Sequence, residues 1–208
     1  MVHVQDKFVY VADPMCSWCW GFSPTLEAMR DRFADRFEFT FIAGGLRPGP
    51  LAQPLDARLR DYLRTAWSRV EESSGQPFQY DFLNRVGFVY DTEASCRAVV
   101  TVRRIDAAKT FDYLHRVQDG FYRRGLDPTD GTVLESLAGE CGVDAGQFRE
   151  LFDSAALSTE TELDFETARR IGATGFPTSL VHDAQGWHLV SQGYFAPDRI
   201  DEAMRRWL

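Results

Sequence analysis

The chain has 208 residues, of which 44% are hydrophobic and 13% aromatic, enough to bury a real core. Its 31 acidic and 23 basic residues leave a net charge of −8, which argues against nucleic acid or an anionic membrane surface as a partner. No apolar run is long enough to cross a membrane. The segment Met1 to Lys7 lacks a basic stretch followed by an apolar one, so a cytoplasmic location is expected.

The first strand is expected over Lys7 to Ala12, where Phe8 to Ala12 is an apolar run typical of a buried strand. Asp13-Pro14-Met15-Cys16-Ser17-Trp18-Cys19-Trp20-Gly21-Phe22 follows. It opens a helix from about Cys16 to about Phe33, with Phe22, Leu26, Met29 and Phe33 on one face. Pro24 should kink this helix without ending it. Phe37 to Phe41 alternates apolar and polar residues as a second strand, giving a right-handed strand–helix–strand unit. Gly44-Gly45 and Pro48-Gly49-Pro50 then break the chain.

From Asp56 to about Gly172 the periodicity is helical. Leu59, Leu63, Ala66 and Val70 mark one helix, closed by Gly75 and Pro77. Asp91 or Thr92 caps the next, which carries Cys96, Val99, Val100 and Arg103. Further helices are marked by Phe111, Leu114, Val117 and Phe121, by Val133, Leu134 and Leu137, and by Phe148, Leu151 and Phe152. Thr159 and Glu162 read as a capping box ahead of the last of them. No convincing strand alternation interrupts this stretch, which is expected to be a helical insertion over residues 51–172 packed on the core formed by residues 1–50 and 173–208. Thr178 to His182, a turn at Asp183 to Gly186, and Trp187 to Ser191 form a hairpin. A final helix presents Ile200, Ala203, Met204, Trp207 and Leu208 on one face.

The CxxC carries the chemistry. At a helix N-terminus the first N–H groups lack partners and the dipole is positive, so a thiolate there is stabilised and Cys16 becomes a nucleophile. Cys19 lies one turn on, within disulfide reach. Half a zinc site and a pair of inert buried thiols are the alternatives. Zinc would need two more ligands, and Cys96 and Cys141 stand alone and far apart. Strand–CxxC–helix context favours a redox dithiol without metal or organic cofactor, and in the cytoplasm such a pair is more often catalytic than structural. Asp13 either caps the turn or shuttles a proton to Cys19. Trp18 and Trp20 are expected to be partly exposed and to offer apolar contact to substrate. Cys96 and Cys141 are expected to be buried and inert, and His182 and His188 to be surface residues.

The element order, the CxxC segment, the tract Thr174-Gly175-Phe176-Pro177-Thr178 and the tract Tyr90 to Val99 together resemble the cytoplasmic DsbA/FrnE-like disulfide isomerases. These are α/β proteins of thioredoxin-like fold with a large all-helical insertion between the β-α-β and β-β-α halves. The resemblance covers essentially the whole chain. It implies a thiol–disulfide oxidoreductase acting on protein or small thiol and disulfide substrates, coupled to a glutathione or thioredoxin system. It makes Cys16 the attacking and Cys19 the resolving cysteine, Pro177 the cis-proline, and Phe176 the residue whose backbone pairs with an extended substrate. Ser17-Trp18 departs from the Pro-His of the strongly oxidising periplasmic members and removes one reason to expect an oxidising couple. Two other classes share parts of this signature. Kappa-class glutathione transferases and hydroxychromene carboxylate isomerases resemble the same insertion architecture, but they need no second cysteine. A non-enzymatic redox-sensing binding protein would use the helical insertion as an apolar groove.

Overall fold

The computed structural model describes residues 6–207. The apolar run forms β1 (Asp6–Ala12). It is followed by α1 (Ser17–Arg32) and β2 (Phe37–Ala43), which pairs parallel to β1. At the other end of the chain β5 (Thr178–Asp183) and β6 (Gly186–Gln192) form the expected hairpin, with β5 antiparallel to β1. The sheet order is β2-β1-β5-β6. The last helix is α8 (Pro197–Met204); Leu208, assigned to its apolar face, lies outside the described residues.

β1 reads as a continuous apolar run because both its faces are covered. Phe8 and Tyr10 point into one cluster with Phe22, Leu26 and Met29 of α1. Val9 and Val11 point the other way, into a cluster with Leu180 and Ala168. Each such fully buried large side chain contributes roughly 1.5–3 kcal/mol of transfer free energy.

Between the two halves lie α2 (Ala57–Ser74), α3 (Glu93–Ile105), α4 (Thr110–Tyr122), α5 (Gly131–Glu140), α6 (Ala145–Phe152) and α7 (Ala155–Arg170). Their starts follow capping chemistry. Asp56, Asp130 and Asp144 accept backbone N–H bonds at the starts of α2, α5 and α6. Gly75, at φ 73°, closes α2. A short ladder of β3 (Gln53–Pro54) with β4 (Val89–Tyr90) also falls here; two residues per strand carry no readable alternation.

Of two further expected caps, the one at α3 forms through Asp91 and the one at α7 does not form. Thr92 occupies the N-cap position of α3, but its hydroxyl accepts from Arg47 N–H, and Asp91 Oδ1 takes Glu93 N–H instead. The Thr159–Glu162 capping box does not form. α7 starts a turn earlier, where Ser154 accepts from Leu157 N–H, and Thr159 Oγ1 donates to Ala155 O inside the helix. The buried face of α7 begins at Leu157, so the start had to precede it.

Pro24 sits inside α1 and cannot donate to the Trp20 carbonyl. That carbonyl accepts instead from Ser23 Oγ at 2.8 Å and from Gln76 Nε2 at 3.3 Å. The freed acceptor thus ties α1 to the segment after α2. A second core cluster continues this join. Met15 and Trp20, which flank the CxxC, pack with Leu59, Leu63, Trp67 and Tyr122 of the helical region.

Candidate active site

The turn between β1 and α1 is built on Asp13, which is fully buried. Its Oδ1 accepts Met15 N–H at 2.8 Å and its Oδ2 accepts Leu46 N–H at 2.7 Å. The Asp13 carbonyl accepts Cys16 N–H at 3.0 Å. Both carboxylate oxygens accept backbone N–H groups, so Asp13 caps the turn. Burial pushes the Asp13 carboxyl above its usual range, against the lowering effect of these N–H bonds.

Cys16 is the N-cap residue of α1, with φ −86° and ψ 114°, and makes no side-chain capping bond. The N-cap position thus brings no side-chain oxygen to the helix start, and Cys19 and Trp20 N–H donate to the Cys16 carbonyl at 2.9 and 3.1 Å. Cys16 keeps 6% exposure and Cys19 none. Both cysteines are free thiols. Burial pushes the Cys19 thiol well up, and the neighbouring Cys16 sulfur adds to that. The Tyr10 hydroxyl lies against the same pair, raised by burial and then by Cys19 and Cys16.

The Phe176–Pro177 bond is cis. The loop it belongs to lies against the dithiol: Cys16 Sγ donates to Phe176 O at 3.6 Å. Pro177 O accepts Gly193 N–H at 2.7 Å and Gly175 O accepts Thr178 Oγ1 at 2.6 Å, which fixes both sides of the loop. Cys16, Cys19, Phe176 and Pro177, separated by some 160 residues in the sequence, thus converge on one site.

Trp18 is half-buried, 5.4 Å from the Tyr194 ring, and lines a cavity of about 430 Å³ with Tyr62, Thr65 and Arg69. Trp20 corrects the expectation of a substrate contact. It is 2% exposed, its indole N–H donates to Pro77 O at 3.1 Å, and its ring stacks on Tyr122. One turn after Cys16, it points toward the helical region, which covers it. Cys96 is buried as expected but is not chemically isolated, since its Sγ donates to Asp13 Oδ2 at 3.3 Å. Cys141 is only half-buried. His188 is half-buried as well, held by Asp183 Oδ1 at 2.9 Å.

Sequence reasoning missed three contributors. Tyr90 donates its hydroxyl to Met15 O, Thr92 accepts from Arg47 N–H, and Gly44, part of a pair whose composition marks only a break, borders Phe176. The double glycine directly after a strand was the available signal. Among the described residues no group of three or more His, Cys, Asp and Glu side chains gathers as a metal cluster. Among them, too, no helix is long and apolar enough to cross a membrane.

The family profile of the DSBA-like thioredoxin domain matches residues 9–205. The chain belongs to that family. Among solved structures, a candidate protein disulfide isomerase from Nitrosomonas europaea superposes with a TM-score of 0.90 at 30% identity, covering 98% of this chain and 97% of that one. The cytosolic disulfide reductase DsbM from Pseudomonas aeruginosa, in its structure with glutathione, gives 0.78 at 26% identity over 97% and 100% of the two chains. Among curated proteins, the ClpXP adapter protein SpxH of Halalkalibacterium halodurans is 23% identical over 80% of this chain, which spans 55% of that protein's length.

Proposed function

We propose that the protein is a thiol–disulfide oxidoreductase working through the Cys16–Cys19 dithiol. The observation that carries this reading is the placement of the two sulfurs. Cys16 stands at the uncapped start of α1, 3.6 Å from the Phe176 carbonyl, and Cys19 lies wholly buried behind it. The Cys16 thiolate attacks a substrate disulfide. A Cys16–substrate bond forms, and the departing substrate sulfur leaves as a thiolate and takes up a proton. Cys19 then loses its proton and attacks the Cys16 sulfur. The substrate sulfur held on Cys16 leaves as a thiolate and takes up a proton; two electrons have passed to the substrate, and Cys16 and Cys19 remain joined as a disulfide. A thiol of the glutathione or thioredoxin type reduces it again. The DsbM neighbour bound to glutathione supports a small thiol as one partner, and its description as cytosolic supports a cytoplasmic setting.

Pro177 gives the loop beside Cys16 a residue with no N–H to turn toward the sulfur. The Phe176 backbone takes an extended substrate as an added strand, and Trp18 supplies apolar contact at the rim. Chemistry of the kappa-class or chromene-isomerase kind, which activates glutathione with one group, has no use for a second sulfur placed as Cys19 is.

The test is trapping. Cys19→Ser should accumulate mixed disulfides through Cys16, and Cys16→Ser should abolish both the trapping and insulin reduction. Full reductase activity in Cys16→Ser would overturn the mechanism. Retained partner binding without turnover in the parent would favour a non-enzymatic binding role.

A further inference from the structure

We infer that Gly44 is a positioning residue for substrate access: the space left by its missing side chain seats the Phe176 ring and keeps the approach to Cys16 open for an extended protein disulfide. This rests on the function proposed above. A Cβ at Gly44 would lie 2.4 Å from Phe176 Cε1, 2.5 Å from Cζ and 2.9 Å from Cδ1, where ordinary contact begins at 3.4 Å. The Cδ1–Cε1–Cζ edge of the ring therefore lies against the glycine itself.

The Gly44 backbone has nowhere to go. Its N–H donates to Ala12 O at 2.8 Å, and the preceding Ala43 N–H donates to Asp164 Oδ2 at 2.9 Å. Asp164 is gripped in turn by Arg103, through Nη1 at 2.7 Å and Nη2 at 3.1 Å. On the other side Gly45, at φ +67°, lies against the Phe165 ring, and Leu46 N–H is held by Asp13. The Phe176 main chain is also pinned, by Cys16 Sγ on its carbonyl and by Gly193 N–H on the next one. A methyl group at position 44 must therefore displace the ring, by about 1 Å or more to regain van der Waals contact.

The direction follows from packing. The ring is half-buried and packs on two clusters, one with Val9, Val11, Ala173 and Leu180 and one with Ala12, Ala43 and Cys16. Both clusters are close-packed and do not yield, so the ring turns outward to solvent, beside the Cys16 sulfur that its own carbonyl contacts. Cys16 has only 6% of its surface exposed, so little ring movement is needed to cover it. Because the displaced atoms are the tip of a half-buried side chain, the fold survives the change. Wide substrates suffer more than narrow ones.

The experiment is a double-mutant cycle on four proteins: the parent, Gly44→Ala, Phe176→Ala, and both together. Alkylation of Cys16 in the reduced protein is followed by peptide mapping, with iodoacetamide as a narrow probe and fluorescein maleimide as a wide one. Turnover of a peptide disulfide is measured alongside. In the parent background Gly44→Ala should slow the wide probe and the peptide on the order of tenfold, within what a misplacement of about 1 Å produces, and slow iodoacetamide much less. In the Phe176→Ala background Gly44→Ala should change neither probe. Equal slowing in both backgrounds, or none in the parent, overturns the inference. If Gly44→Ala fails to fold while the double variant folds, the ring is the obstacle and the seat stands. Failure of both to fold overturns it. Alkylation reads the seat even if the parent turns over no disulfide, so the two proposals fail separately.

Discussion

Removing the Arg103 guanidinium should destabilise the protein by an amount set by the acid it leaves behind. Arg103 joins three elements: it donates to Phe41 O of β2 and pairs with Asp164 and Glu160 of α7 from its own place on α3. Its side chain is 20% exposed and that of Asp164 13%. Deleting one partner of a fully buried ion pair costs about 3–5 kcal/mol, because the other charge stays buried without compensation. The residual exposure places Arg103→Met at the low end, ~3 kcal/mol. For a chain of this size that corresponds to a fall in melting temperature of roughly 6–12 °C. The pH dependence identifies the cause. Burial already raises the Asp164 carboxyl above its usual range, with Arg103 the main opposing influence. A carboxyl whose folded pKa is raised favours folding below its unfolded pKa and loses that contribution as pH rises through the folded value. Without Arg103 the folded value rises further, so the deficit of the variant should be largest near neutral pH and shrink as pH falls into the range where Asp164 is protonated. Thermal unfolding followed by circular dichroism at a series of pH values measures both. A melting temperature within about 2 °C of the parent, less than the shift expected for even 1 kcal/mol, would refute the reasoning. So would a deficit that does not change with pH.

Asp13→Asn should cost about 1–3 kcal/mol, because an amide offers one acceptor where Met15 and Leu46 both donate. Since burial raises the Asp13 carboxyl, the parent should lose stability as pH rises from 3.8 through the folded value; that segment should vanish from denaturation profiles of the variant, and an unchanged profile would exonerate Asp13. Alkylation of the reduced protein should label Cys16, which keeps 6% exposure, before Cys19, which has none. Cys141, though half-buried rather than buried, is slowed by a thiol pKa raised by its partial burial, and Cys96 should stay unlabelled until the chain unfolds; early labelling of Cys96 would contradict its place against Asp13.

The elements legible in the sequence were those whose signal is local. β1 announced itself as a run apolar on both faces, α1 by the spacing of Phe22, Leu26 and Met29, and the hairpin by Asp183 to Gly186. The dithiol and the Phe176–Pro177 loop were found by motif, and their convergence by family resemblance. What stayed hidden depends on partners distant in the chain. Nothing near Trp20 says that Pro77 and Tyr122 will cover it. Cys96 looked like any core thiol, because its acceptor, Asp13, lies 83 residues away. Gly44-Gly45 had the composition of a turn, whereas its role is to let the Phe176 and Phe165 rings approach the backbone. The false capping box at Thr159 had the right residues, but Ser154 supplied an equivalent cap one turn earlier.

Met15 and Trp20 bracket the two cysteines and are held in the aromatic cluster of the helical region. The thermodynamic consequence is reciprocal. Closing or opening the Cys16–Cys19 bond acts on a segment whose two ends belong to that cluster, so any difference in helical packing between the oxidised and reduced forms appears, by the same factor, as a shift of the dithiol equilibrium. A molecule that binds the helical region more tightly in one redox state would adjust the couple by its ratio of affinities. Conversely, the redox state of the pair would change the affinity for that molecule by the same factor.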